Sequence, residues 1–439
     1  MGRTDMMKRN DGYKMLTDED LLTEVLSRLP VKYLLRCKAV SKSWYSLISN
    51  PSFIKAHYQR HAITINSAGD DNNATLIGRL FQGADSDLYF EEDGSYSLFR
   101  LGTTDDYIAS LNFPFSRGDY PFTPNCIPVG CVCGIVCVCV DPSAPIDAYY
   151  CFPAPDKATD IYIWNPATRQ SKLIPSHALY DCDDTDKVAL GFGFDLVDFD
   201  FKVVRVVSRA IFPQVYSANR DVWQNIETNL TDFPQEDVFH ICLHGFLFTT
   251  GDNGMIAFDL NKEVFICDIK LPGCSNEPRE ECYDARIVDF KDSIAVITSD
   301  DKELSGKLNL WTLDDEACLR GGRVKALWTF MLSIDVGVHL MYVKGLFSSV
   351  EFLLVLVPDS EWFSYNFDKK EARRINTVRF SDFDAVFKYT ENQQMLLVTK
   401  SKLVNWSDDE EDFSEEVSIN LENVYDDFIV ISDDSEESN

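Results

Sequence analysis

Three stretches of this 439-residue chain hold residue types that could do chemistry. The first, "CVCGIVCVC", carries Cys131, Cys133, Cys137 and Cys139. Structural zinc sites space thiolates as Cys-x(2–4)-Cys on a turn. These thiols instead alternate with apolar residues, the period of a strand, and there a thiol packs as a small hydrophobe. The second, "HICLH", places His240 and His244 at the separation of a zinc-protease pair. It lacks the glutamate between them, and its surroundings read as strand rather than helix. The third, "GFGF" from Gly191, lacks the third glycine and the following helix of a dinucleotide loop. No phosphate-binding loop and no Gly-x-Ser-x-Gly elbow occurs. The expectation is no catalytic residue, no cofactor and no metal.

The elements that carry these stretches are predicted to be strands. From about residue 76 to 400, β-branched and aromatic residues recur in short runs, and long helical patterns are absent. A weak repeat runs through them: "IYIWNPATRQSKLIP" from 161, "VYSANRDVWQNIE" from 215, "MIAFDLNKEVFICDIKLP" from 255, "LNLWTLDDEACLRGG" from 308 and "WFSYNFDKKEARRINTV" from 362. Each reads as a strand, a polar turn and a second strand. The spacing is close to the roughly 50-residue period of kelch-type propeller blades. A propeller of about six blades is therefore expected over 76–400, in preference to a two-sheet sandwich. No clear hairpin unit stands before 161.

The N-terminal part reads differently. "TDED" at 17–20 matches a capping box, and Leu21, Leu22, Val25, Leu26 and Leu29 follow a helical spacing. Pro30 must end that helix, because it has no N–H to donate and its ring clashes with the preceding turn. Leu34 and Leu35 suit a second helix. Val40, Trp44, Leu47 and Ile48 suit a third, ended at Asn50-Pro51. Three helices in about 45 residues lie near the lower limit for an independent core. Their leucines have two possible destinations, the rest of the chain or the groove of a partner.

The segment "LSRLPVKYLLRCKAVSKSWYSLI" resembles the F-box of plant proteins. The resemblance implies binding of a Skp-type adaptor, and through it a cullin, by Leu16, Leu21, Leu22, Val25, Leu26, Leu29, Pro30, Leu34, Val40 and Trp44. Thr17-Asp18 stands where that family has Leu-Pro, and Leu16 is the expected substitute. Further on, "VGCVCGIVCV", "IWNPATRQSKLIP", "GFGFDLVDFDFKVVRVV" and "VYSANRDVW" resemble segments of plant F-box-associated domains, the S-locus group among them. The implied fold is α+β and multidomain: a flexible start at 1–14, an all-α F-box at 15–60, a linker at 61–75, an all-β propeller at 76–400 and an acidic tail at 401–439. The implied function is that of a non-catalytic substrate receptor in a Skp–cullin–F-box ubiquitin ligase, with a pollen S-locus factor that recognises pistil ribonucleases as the finer version. A propeller scaffold with no ligase role is the alternative.

Charge and composition fit such a role. The net charge is −30, which disfavours nucleic acid and anionic membrane and suits a basic protein partner. Residues 407–439 hold fourteen of the acids and no Lys or Arg. Within them Ile429, Val430 and Ile431 precede "SDDSEES", a pattern that resembles a SUMO-interacting strand. Thirteen cysteines with no export signal at the start predict reduced thiols in the cytosol or nucleus.

Overall fold

The computed structural model describes residues 18–29, 31–50, 52–53, 56–57, 74–81, 96–101, 106–111, 124–145, 159–175 apart from 169, 187–208, 212–272 apart from 228, 229 and 231, 285–299, 307–320, 325–335, 340–346, 351–356, 361–374, 379–380 and 386–389. The chain forms two compact units, with the three α-helices in one and all strands in the other. Among the described residues, no helix is long and apolar enough to cross a membrane.

The helical unit consists of α1 (Asp18–Leu26), α2 (Val31–Lys38) and α3 (Lys42–Ser49). Ser41 caps α3: its backbone is extended, and its Oγ accepts the Trp44 N–H at 3.2 Å. Val40, expected inside the third helix, therefore lies in the turn ahead of that cap. Leu26, Leu34, Ile48 and Phe53 are almost fully buried against one another. Each contributes about 1.5–3 kcal/mol by leaving water, so the core of this unit is small. His57 seals it, placing Nε2 at 2.9 Å from the Leu29 carbonyl while its ring stacks on Phe53.

The described strands form six antiparallel sheets. β1 (Ala74–Phe81), β2 (Tyr96–Leu101) and β3 (Asp106–Leu111) begin the first. The second holds β4 (Pro124–Val132), β5 (Ile135–Pro145), β6 (Asp160–Asn165) and β7 (Gln170–Leu173). The third holds β8 (Val188–Asp195), β9 (Asp200–Val207), β10 (Gln214–Ser217) and β11 (Val222–Asn225). The fourth holds β12 (Ile241–Leu243), β13 (Phe246–Gly251), β14 (Gly254–Asp259) and β15 (Val264–Ile269). The fifth holds β16 (Arg286–Asp289), β17 (Ile294–Ser299), β18 (Lys307–Leu313) and β19 (Trp328–Asp335). The sixth holds β20 (Leu340–Leu346), β21 (Glu351–Leu356), β22 (Glu361–Asn366) and β23 (Glu371–Arg374). In these last five sheets the strands pair in chain order, and the first strands of successive sheets lie side by side. The first sheet is completed from the other end of the fold: β24 (Arg379–Phe380) and β25 (Phe387–Lys388) both pair with β1, in the registers Phe81↔Arg379 and Ile77↔Phe387. Strand β25 then lies beside β4. A ring closed by its own terminal strand is a β-propeller, and closure leaves no open sheet face at the seam.

The core is a set of clusters between neighbouring sheets. Cys137 and Cys139 face the third sheet with Ile135, against Phe192, Phe194 and Val203. Val136, Val138 and Val140 face the first sheet, against Ile77 and Tyr389. Both faces of β5 are thus buried, which is why its sequence is apolar at odd and even positions alike. Four of the five repeats are the outer hairpins of the second, third, fourth and sixth sheets; in the repeat from 308 the expected second strand is instead a 3-10 helix at Glu316–Arg320, and β18 pairs with β19 beyond it. Before 161 the structure holds hairpins that the sequence did not show, β2–β3 and β4–β5 among them; the two-residue Cys133-Gly134 turn of the latter has φ of 54° and 72°. Turns with two positive φ values match the twist of paired strands, and this one has too few polar residues to register as a turn signal.

The "GFGFD…KVVR" stretch is the joint between the third and fourth sheets. A Cβ on Gly191 would lie 2.9 Å from a Leu247 methyl, and one on Gly193 would lie 2.6 Å from a Leu260 methyl. These glycines allow two sheets to approach, and no phosphate loop is formed. Lys202, 2% exposed, reaches across the joint. Its Nζ donates to Asp195 Oδ2 at 3.1 Å, to the Leu260 carbonyl at 2.6 Å and to Glu263 Oε1 at 2.9 Å. Burial alone would lower the Lys202 pKa; Glu263 and Asp195 outweigh it and hold it above the usual value. Lys202→Ala leaves Asp195 buried without its cation, and one-sided loss of a buried pair costs about 3–5 kcal/mol. Urea unfolding of the full chain should register that loss in the propeller transition, whereas an unchanged midpoint would refute a structural role for the lysine.

Candidate protein-interaction site

The helical unit divides the residues expected to bind an adaptor. Leu26 and Leu34, both among the residues expected to meet the adaptor, are turned into the unit's own core at 1% and 0% exposure. Ile48 and Phe53 complete that core among the described residues. Leu22, Leu29 and Trp44 are half-buried around that core. Leu21 (49%), Val25 (59%) and Val40 (63%) stay exposed. Leu16 and Pro30 lie outside the described residues, as do Ile429, Val430 and Ile431.

Leu21 and Val25 stand one turn apart on α1, so they project from the same side of the helix. Two tyrosines missing from the sequence reading add to the exposed apolar surface: Tyr33 and Tyr45, each about half exposed. Each carries a cation above its ring, Arg36 at 5.9 Å from Tyr33 and Lys38 at 5.8 Å from Tyr45. Burial lowers the Lys38 pKa to about 8. Their signal in the sequence was an aromatic ring followed or preceded by a base within one or two turns, which is common enough to pass unnoticed. A leucine pattern read along the helices marks what is apolar, and only the packing separates what the unit keeps from what it presents.

The strand unit has two unlike rims. In a four-strand meander, connections from first to second and third to fourth strands leave one rim; the others leave the opposite rim. On the first rim the turns 133–134, 166–169, 196–199, 218–221, 244–245, 260–263 and 367–370 are tight, while β18 and β19 are joined there by the longer connection 314–327; the opposite rim has one two-residue turn, 252–253. Most share one device. The residue before the turn is Asn165, Asp195, Ser217, Asp259 or Asn366, and its side chain accepts N–H groups from inside the turn at 2.9–3.3 Å. Phe199, Asp221, Glu263 and Lys370 close these turns with φ between 55° and 58°. The opposite rim carries the connections 82–95, 112–123, 146–159, 174–187, 226–240 and 270–285. Much of that sequence lies outside the described residues. Mostly tight turns on one rim and mostly longer connections on the other are the usual division between scaffold and recognition surface.

The thiols and imidazoles take structural places. Burial pushes the Cys137 thiol well above its usual pKa, which keeps it protonated and apolar. His240 is buried and accepts the Ile287 N–H on Nδ1 at 3.1 Å, with Nε2 3.3 Å from Glu236 Oε1. His244 sits in the β12–β13 turn and bonds to other partners: Nδ1 is 2.6 Å from Glu316 Oε1 and Nε2 is 3.4 Å from Asp292 Oδ1. The two histidines serve different networks and do not form a joint ligand pair.

The chain thus carries a three-helix unit and then a ring of antiparallel sheets. The model of the F-box domain matches residues 18–56, and that of the F-box associated beta propeller domain matches residues 119–400. The chain belongs to the F-box associated β-propeller family. It is 29% identical over 224 residues to the F-box protein CPR1 of Arabidopsis thaliana, covering 48% of this chain and 45% of that protein. An F-box/kelch-repeat protein of the same plant is 29% identical over 212 residues, at 47% and 50% coverage. A further F-box protein from it is 24% identical over 319 residues, at 67% and 71%. The chain spans about half the length of the first two relatives. Among solved structures, TolB from Acinetobacter baumannii aligns over 77% of this chain and 72% of its own at 11% identity and a TM-score of 0.39, too low to establish a shared fold.

His244 makes the joint between the fourth and fifth sheets sensitive to pH. Burial alone would lower its pKa, but Glu316 and Asp292 outweigh it and raise it above the usual value. A raised folded pKa contributes stability in full below the unfolded value near about 6.5, and that contribution fades as pH rises through the folded value. Comparing thermal midpoints of wild type and His244→Gln should show an advantage for wild type at pH 6 that shrinks by pH 8.5. An advantage independent of pH would contradict the charged pairing.

Proposed function

We propose that this chain is the substrate-recognition subunit of a Skp–cullin–F-box ubiquitin ligase. The observation that carries the reading is the division of the helical unit. Its own core takes Leu26, Leu34, Ile48 and Phe53, yet Leu21, Val25 and Val40 remain exposed beside two exposed tyrosines. Exposed aliphatic and aromatic side chains at helical spacing suit a helix-in-groove contact with the adaptor. Membership of the family and the F-box match at 18–56 support the same reading. The long-connection rim of the propeller then holds a target protein, and transfer of ubiquitin follows from proximity without an acid, base or nucleophile in this chain. Such a receptor works in the cytosol or nucleus.

A finer reading takes basic pistil ribonucleases as the targets of a pollen receptor; the net charge of −30 favours a basic target. Direct binding to such a ribonuclease, weakening as salt rises, is its test. The alternative is a scaffold that binds proteins without a ligase, favoured by Thr17-Asp18 in the place of the family's Leu-Pro.

Replacing Leu21 and Val25 by Glu in the full chain separates these readings. Both side chains are exposed, so the helical unit should keep its fold. Loss of a hot-spot apolar anchor costs about 2 kcal/mol or more, roughly a thirtyfold loss of adaptor affinity. Adaptor co-purification should fall away at matched expression, with the circular dichroism spectrum unchanged. Wild type that fails to capture the adaptor, or a double variant that captures it as well as wild type, would overturn the ligase assignment.

A further inference from the structure

His57 stands one residue beyond the F-box match at 18–56, yet it is only 2% exposed within the helical unit. Its ring stacks on Phe53 with centroids 6.3 Å apart. Its Nε2 lies 2.9 Å from the Leu29 carbonyl, a residue 28 positions earlier in the chain. A carbonyl oxygen can only accept, so Nε2 carries the proton and donates it.

Leu29 lies where α1 has run out. The last N–H groups of that stretch reach back only three residues, Arg28 to the Val25 carbonyl at 3.2 Å and Leu29 to the Leu26 carbonyl at 3.0 Å. Carbonyls past a helix end lose the N–H four residues on that a continuing helix would give them, and a buried one needs a donor from elsewhere. Pro30, next in the sequence, has no N–H to offer. His57 supplies a donor from the far end of the unit.

The place of this bond gives it a consequence for binding. Exposed Leu21 and Val25 lie ahead of it on α1, whereas exposed Val40 and Tyr45 lie after it, in the turn before α3 and within α3. One partner groove can take both sets only if the two stretches keep one relative placement. The apolar core of Leu26, Leu34, Ile48 and Phe53 favours contact but is not directional. The His57 bond is directional, and it ties the backbone between α1 and α2 to the stretch that follows α3.

We propose that His57 is a positioning residue for adaptor binding. By holding the Leu29 carbonyl it fixes α1 against α2 and α3, and so presents Leu21 and Val25 together with Val40 and Tyr45. The inference rests on the ligase reading above, and it extends the adaptor-binding element one residue past the F-box match. Without the bond, α1 has to be ordered when the adaptor binds, and that ordering costs affinity.

Two replacements separate the ring from the donor. His57→Phe keeps an aromatic ring against Phe53 and removes the N–H. His57→Gln removes the ring and keeps an N–H at the same number of bonds from the backbone. Ile48→Val trims the core of the unit without touching the bond. Each full chain is titrated calorimetrically with a purified plant Skp-type adaptor, well below the temperature at which the helices unfold. His57→Gln and Ile48→Val should stay within about threefold of wild-type affinity, and His57→Phe should lose roughly tenfold with its helical circular dichroism unchanged. His57→Phe that binds as tightly as wild type, or His57→Gln as weak as His57→Phe, overturns the proposal. Loss of the helical signal in His57→Phe, or equal weakening by Ile48→Val at an equal loss of urea midpoint, assigns His57 to stability alone and also overturns it. These failures leave the ligase reading standing, whereas wild type that binds no adaptor overturns both.

Discussion

The strand unit depends on one pairing between its two ends. Strand β1 cannot finish a four-strand sheet with β2 and β3 alone; it takes its inner neighbour from β25, and the same β25 touches β4. That pairing joins residues more than three hundred positions apart in sequence, so it carries the largest loop-closure cost in the fold. It is short, two residue pairs at Leu76 and Ile77, and gains its strength from the cluster it completes: Ile77 and Tyr389 pack with Val136, Val138 and Val140. Apart from the short β1–β24 pairing beside it, the rest of the described ring is local. Each sheet is a meander, and each cluster lies between neighbours.

Local order of this kind is legible in a sequence, and non-local closure is not. The repeated hairpins could be read because each third strand runs into a polar turn capped by an Asn, Asp or Ser, as at Asn165, Asp259 and Asn366. The β4–β5 hairpin was hidden, since its turn is Cys133-Gly134 and both faces of β5 are buried. Two residues at β25 give no periodic signal at all. The helices were legible from leucine spacing and Pro30. Their burial was not, because α1 has two apolar faces, Leu21 with Val25 and Leu22 with Leu26 and Leu29, and only the packing shows that the second is the one kept inside.

The same limit separates scaffold from recognition. Stretches that look chemical in the sequence turn out to hold sheets together. Gly191 and Gly193 allow the third and fourth sheets to touch, Lys202 ties them, and Cys137 and Cys139 fill the space between the second and third. These residues are invested in the turns and joints that hold the sheets together. A receptor of the proposed kind needs that arrangement: a ring stiff enough to hold a target in place and a separate helical unit with apolar side chains left over for an adaptor.

The proposed role turns on whether those left-over side chains bind. Titration calorimetry of the purified full chain with a purified plant Skp-type adaptor measures this directly. The account predicts one-to-one binding with a negative heat-capacity change, the mark of apolar burial by Leu21, Val25 and their neighbours. Absence of binding by a chain whose helices and propeller are both folded would contradict it.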